Sequence, residues 1–156
     1  MEHRRNSARL PPRWFIRLVW RSHRALLRLS GGRVGLWSPK VGRWGTARLT
    51  TTGRRTGQRR SVVIGYFEDG SNLITLAMNG WADPEPAWWL NLKAHPEATV
   101  DLANESRAVR ARAAEGDERL RLWARWRELG GHLDAYAALR STDTAVVVLE
   151  PQAKRS

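Results

Sequence analysis

Two apolar, β-branched runs, Ser61–Phe67 and Asn72–Met78, flank the tetrapeptide Glu68-Asp69-Gly70-Ser71. An Asp-Gly step tolerates the left-handed backbone that a tight turn demands, so the two runs fold back on each other as an antiparallel hairpin. A lone hairpin is barely stable in water and must be joined by further strands. The chain supplies them at Ala47–Thr52, rich in threonine, at Ala98–Ala103 and Arg107–Ala114, joined near Asn104-Glu105-Ser106, and at Thr144–Leu149. The last, TAVVVL, reads as a continuous buried strand that closes the sheet before Pro151 ends it. A meander of five or six strands is the expectation, with Arg107, Arg110 and Arg112 marking outward positions. Helices are expected from Pro86 through Leu92, over Asp117–Leu129 up to the stop at Gly130-Gly131, and over Leu133–Leu139. The fold class is α+β, mainly β.

The 156 residues suffice for one domain. There is no cysteine, which excludes disulfides, thiolate catalysis and cysteine-based metal centres. The four histidines, His3, His23, His95 and His132, show no ligand spacing, so no metal is expected. The formal charge of +12 is laid down unevenly: residues 1–60 carry 16 Lys/Arg against the single acid Glu2, and the remainder is net acidic. Such asymmetry points to an anionic partner for the front of the chain. Residues 1–11 read as a disordered basic tail. In residues 12–30, arginines at 13, 17, 21, 24 and 28 oppose Phe15, Leu18, Val19, Leu26 and Leu29, the pattern of an amphipathic helix. That helix suits either a peripheral membrane contact or packing on protein. Residues 31–45 are a Gly/Trp connection, expected to cover the barrel's mouth; 46–151 form the domain proper and 152–156 a tail.

The chemistry concentrates in Gly53-Arg54-Arg55-Thr56-Gly57-Gln58-Arg59-Arg60. Four guanidiniums this close cannot all be buried, and glycines at both ends let backbone N–H groups approach an anion, so phosphate is the expected guest. The spacing is not that of a P-loop, and a plain basic turn is the alternative. No Ser/His/Asp, Cys/His or paired-carboxylate set is present, so catalysis has to be lent by a cofactor. Nine tryptophans and the basic charge raise nucleic-acid binding as a competing class. Trp81, Trp88 and Trp89, however, share their segment with Asp83 and Glu85 and no arginine, which is wrong for a stacking platform, and no nucleic acid is expected.

The succession LTTTGRRTGQRR, an Asp-Gly hairpin, A-M-N-G, P-A-W-W-L-N-L and A-H-P-E-A-T-V resembles the deazaflavin-dependent nitroreductase and quinone reductase family, split β-barrel oxidoreductases that use coenzyme F420. The resemblance implies a split β-barrel of about six antiparallel strands with flanking helices. It implies that Arg54, Arg55, Thr56, Gly57 and Arg60, with Ser61, Val62 and Val63, hold the phosphate and acidic tail of the cofactor. It implies that Ala77, Met78, Asn79 and Gly80, with Ala87, Trp88, Trp89 and Asn91, surround the deazaflavin, one of the two tryptophans filling core instead. Trp81, Leu133 and Tyr136 would line the substrate pocket, with Tyr136 as a proton donor. The chain departs from the family pattern at Trp81, where glycine is common, and at Gly130 and Leu133, where tyrosines are. The implied activity is hydride transfer from reduced F420 to a small hydrophobic acceptor, a quinone, activated alkene or nitro compound, in a monomer or homodimer. FMN is the runner-up cofactor, and a non-catalytic carrier of cofactor or acyl chain is the alternative. The implied location is cytoplasmic, on the inner face of the plasma membrane if residues 12–30 bind lipid.

Overall fold

The computed structural model of the protein describes residues 35–78 and 84–153. The tail 1–11, the helix expected over 12–30 and the turn Asn79-Gly80-Trp81 lie outside the described residues. Six strands form a closed antiparallel barrel: β1 Gly45–Thr52, β2 Arg59–Asp69, β3 Asn72–Leu76, β4 Glu97–Asp101, β5 Ser106–Ala113 and β6 Val146–Pro151. Among the described residues three helices accompany them: α1 Ala87–Ala94, α2 Gly116–Leu129 and α3 Leu133–Ala137.

The expected hairpin is present, with Asp69 paired to Asn72 and Gly70 at φ 61° supplying the turn. The order around the barrel is β1-β2-β3-β6-β5-β4, so the meander is corrected. β3 is followed in sequence by α1 and β4 but pairs with β6, while β4 returns to the far edge of β1, Leu49 opposite Val100. The chain cannot continue as a meander because α1 carries it across one end of the barrel. β6 also begins and ends two residues later than expected. Pro151 belongs to it, opposite Val109 at the strand's last position, where the missing N–H interrupts no central ladder. Arg107 is corrected as well. It shares parity with the inward Val109 and Ala111 and escapes the interior only because it is the second residue of the strand, at the barrel's end, where it pairs with Glu105.

Alternation sorts the strand side chains into two cores. Ala47, Leu49, Ile64, Tyr66, Leu73, Val100, Val109, Val147 and Leu149 fill the barrel, and Trp88, Trp89 and Leu92 of α1 plug it. On the outer face, Phe67, Ile74, Leu76, Val146 and Val148 are covered by Leu122 and Trp126 of α2 and by Leu133 of α3. Trp126 meets Phe67 edge-on with centroids 5.1 Å apart. Charge fixes α2 in place: Arg121 makes a bidentate pair with Asp69 at 2.8 and 2.9 Å, and Arg125 joins at 3.1 Å. Those guanidiniums hold the Asp69 carboxyl below the usual range. The connection 35–44 lies along the outer face of β2 rather than over the barrel's mouth. Leu36 packs on Val63, and the Trp44 ring lies where a side chain at Gly65 would stand, its Cε3 being 3.0 Å from a Cβ built there.

Tyr66, 1% exposed, has its hydroxyl pushed up to about 12, chiefly by burial and then by Glu68. A folded-state pKa above the unfolded value of 10 stabilises the protein below pH 10, and that contribution is lost as pH rises to 12. The loss should be roughly 3 kcal/mol. Urea midpoints measured across this window should fall for the wild type and fall less for Tyr66→Phe. Parallel loss in both proteins would assign alkaline unfolding to other groups.

Candidate functional site

The basic loop joins β1 to β2 at one end of the barrel. Its base is closed by Gly53 N–H donating to the Gln58 carbonyl at 2.7 Å and Gly57 N–H donating to the Gly53 carbonyl at 2.8 Å. Gly57 has φ 70°, and a Cβ on Gly53 would stand 3.0 Å from the Gln58 oxygen, so both positions require glycine for conformational or steric reasons. The glycine N–H groups are therefore spent on shaping the loop. Gln58 N–H donates to Thr56 Oγ1 at 3.3 Å, and Arg54 N–H donates to Asn91 Oδ1 at 3.1 Å. Among the described residues, no acceptor takes the N–H of Arg55 or of Thr56. Those two N–H groups stand on the same turn as exposed Arg54 and Arg55, and exposed Arg59 and Arg60 follow at the start of β2.

Asn91 ties this loop to the barrel plug. Its Oδ1 also accepts from Arg54 Nη1 at 3.2 Å, and its Nδ2 donates to Thr51 Oγ1 at 3.1 Å. With 4% of its surface exposed, Asn91 is spent inside the protein and positions Arg54; it does not present its amide to a planar ring. Trp88 and Trp89, at 8% and 5%, both belong to the barrel core, their rings 6.5 Å apart. Both therefore fill core, where the sequence assigned only one to that role. Ala87 at the start of α1 is exposed. On β2, the Ser61 hydroxyl is 2.8 Å from that of Thr50, Val62 packs against the barrel core and Val63 is buried under Leu36.

A second group gathers where β3 leaves the barrel. Ala77 N–H donates to the Ala145 carbonyl at 2.9 Å, and the Ala77 carbonyl accepts from Arg140 Nη1 at 3.0 Å. Arg140 is 7% exposed and also donates to Thr144 Oγ1 at 2.7 Å. Met78 packs on the outer core to which Leu133 belongs. Leu133, 6% exposed, is core here and not the wall of an open pocket. Tyr136 is half-buried on the short helix α3, its ring 6.4 Å from that of His132. Sequence reasoning missed Arg140 and Thr51. Each acts on a residue far away in the chain, and a single sequence carries no signal for such a pairing.

The arrangement has three chemical properties. Among the described residues, no carboxylate pairs with Arg54, Arg55, Arg59 or Arg60, although Arg54 donates to Asn91 and Arg59 to Thr99. Among the described residues, no group of three His, Asp or Glu could hold a metal ion. Among the described residues, no catalytic nucleophile is hydrogen-bonded to a histidine or carboxylate base. A cleft of about 450 Å³ between residues 39–43 and α2 lies against Phe67 and Glu68, near the opposite end of β2 from the loop.

A family model described as F420H(2)-dependent quinone reductase matches residues 19–151. An F420H(2)-dependent quinone reductase of Mycobacterium tuberculosis is 32% identical over 117 residues, covering 71% of this chain and 77% of that protein. A solved F420-H2 dependent reductase superposes with a TM-score of 0.61 at 26% identity, over 67% of this chain and 93% of that one. A second solved structure, described as a domain-swapped dimer, gives a TM-score of 0.65 at 25% identity, over 90% of this chain and all of that one.

Proposed function

The chain belongs to the F420H(2)-dependent quinone reductase family, and we propose that this protein, a deazaflavin-dependent oxidoreductase whose cofactor is coenzyme F420, reduces a hydrophobic quinone. The observation that carries the reading is the family match over residues 19–151 of 156. When bound, reduced F420 supplies a hydride, and with one further proton the quinone becomes its hydroquinone, two electrons and two protons richer.

The protein's own part is to bind, orient and exclude water. Arg54, Arg55, Arg60 and the N–H groups of Arg55 and Thr56 hold the acidic tail. Ala77 and Met78, fixed by Arg140 and the outer core, edge the ring site, and the α1 plug forms its floor. Tyr136 stands on α3, which packs on the same outer core as Met78, and is the candidate proton donor to the reduced quinone. Mixing the protein with reduced F420 and menadione under anaerobic conditions should bleach the reduced cofactor at a rate proportional to enzyme. Tyr136→Phe should slow that rate by about 10²-fold or more while leaving F420 affinity unchanged. Cofactor binding without turnover by any quinone, activated alkene or nitro acceptor would instead support a carrier.

Among the described residues, no helix is long and apolar enough to cross a membrane. We propose a peripheral contact through residues 12–30, on the cytoplasmic face, because their arginines and apolar stripe suit a headgroup layer and quinones dissolve in lipid. A chain lacking 12–30 that floats with anionic vesicles as well as the full one would refute it. A homodimer is compatible with the domain-swapped relative.

A further inference from the structure

Residues 37–44, WSPKVGRW, form a small hairpin that neither core absorbs. Lys40 and Arg43 exchange backbone hydrogen bonds at 3.0 and 2.9 Å, Gly42 takes φ 73°, and Trp37 is bridged to Thr46 at the base. Val41 at the tip is fully exposed, while Trp37 and Trp44 are 36% and 39% exposed. The tryptophans brace each other with ring centroids 6.3 Å apart, and Trp37 Nε1 donates to the Trp44 carbonyl at 3.1 Å. The hairpin's base packs on β2 through Trp44 and Gly65, and a cleft of about 450 Å³ lies between its tip and α2. The acids of that cleft, Glu68 and Glu128, belong to its β2 and α2 walls. Among the described residues, no carboxylate pairs with Lys40 or Arg43.

A valine at a turn tip gains nothing from water, and a polar residue would fit that position equally well. Arg43 lies over the Trp37 ring, 5.9 Å from its centroid. Two half-exposed indoles beside two cations with no carboxylate partner among the described residues are the combination that settles at a bilayer interface: rings at headgroup depth, an aliphatic tip below them and cations on anionic phosphates. The hairpin also continues a chain segment that is strongly basic from its start, the first 60 residues holding one acid. We infer that the Trp37–Trp44 hairpin is a lipid anchor that inserts Val41 into an anionic bilayer surface. This goes beyond the reading of residues 12–30 and does not depend on the redox reaction.

The chain has no cysteine, so Val41→Cys in the full-length protein gives a unique site for a polarity-sensitive dye. A matched control is Ala108→Cys, exposed on β5, which stands opposite β2 around the barrel. With vesicles containing phosphatidylglycerol, the dye at position 41 should shift to the blue and the control should not; pure phosphatidylcholine should give a weaker shift. Val41→Glu should lower partition into the anionic vesicles about tenfold, and Val41→Trp should raise it. A full-length protein that floats with the vesicles while the dye at position 41 stays in water would overturn the inference and leave residues 12–30 as the sole contact. A blue shift that follows protein concentration without vesicles would overturn it in favour of a second copy of the chain.

Discussion

Replacing Arg54, Arg55 and Arg60 together by alanine should weaken F420 binding by about 10²-fold or more and flatten its salt dependence. Each hydrogen bond to a charged group contributes roughly 1.5–3 kcal/mol, so the loss of only two removes about 3 kcal/mol or more. The fold should survive, because the contacts that shape the loop are backbone bonds within Gly53–Gln58 and the Arg54 N–H bond to Asn91, which alanine retains. The three side chains are exposed and in no ion pair among the described residues. Fluorescence titration of F420 at several salt concentrations measures both quantities. Wild-type affinity in the triple variant would remove this loop from the cofactor site. A loss of affinity with the wild-type salt slope would mean that the loop acts through shape rather than charge.

The local features of this fold were legible because each is encoded within a few residues. The Asp69-Gly70 turn, the alternation of Ala47, Leu49 and Thr51, and the helix stop at Gly130 all lie where short-range sterics and periodicity place them. The ring order was not legible. Whether β3 pairs with β4 or β6 depends on where α1 carries the chain, and α1 plugs the barrel through Trp88, Trp89 and Leu92. Adjacent tryptophans on a helix point about 100° apart, which argued for one in the core and one facing the cofactor ring. That holds for a helix on a flat surface, but α1 is inserted in the barrel end, where both directions meet side chains. Similarly, Leu133 read as a pocket residue because substrate contacts were expected there; α3 instead turns it onto the outer face of β3 and β6.

The same geometry makes Asn91 the residue whose loss should reach furthest. It joins Thr51 of β1, the Arg54 backbone and the Arg54 guanidinium through one buried amide. Asn91→Leu keeps nearly the same volume but leaves the Arg54 N–H without its acceptor and the Thr51 hydroxyl with only its 3.5 Å bond to the Arg60 carbonyl. Leaving a buried polar group unsatisfied costs about 1–3 kcal/mol, so the change should cost roughly that much stability. F420 affinity should fall with it although every arginine remains, because the loop is no longer held over α1. Asn91→Asp separates the two effects. A carboxylate still accepts from both Arg54 donors, and the Thr51 hydroxyl can rotate to donate to its second oxygen, so stability should largely return. Affinity should not, since one negative charge now lies beneath an anion site. Urea unfolding and F420 titration of both variants decide the matter. If Asn91→Leu retains both stability and affinity, the clamp is dispensable and the loop is held by its own backbone alone.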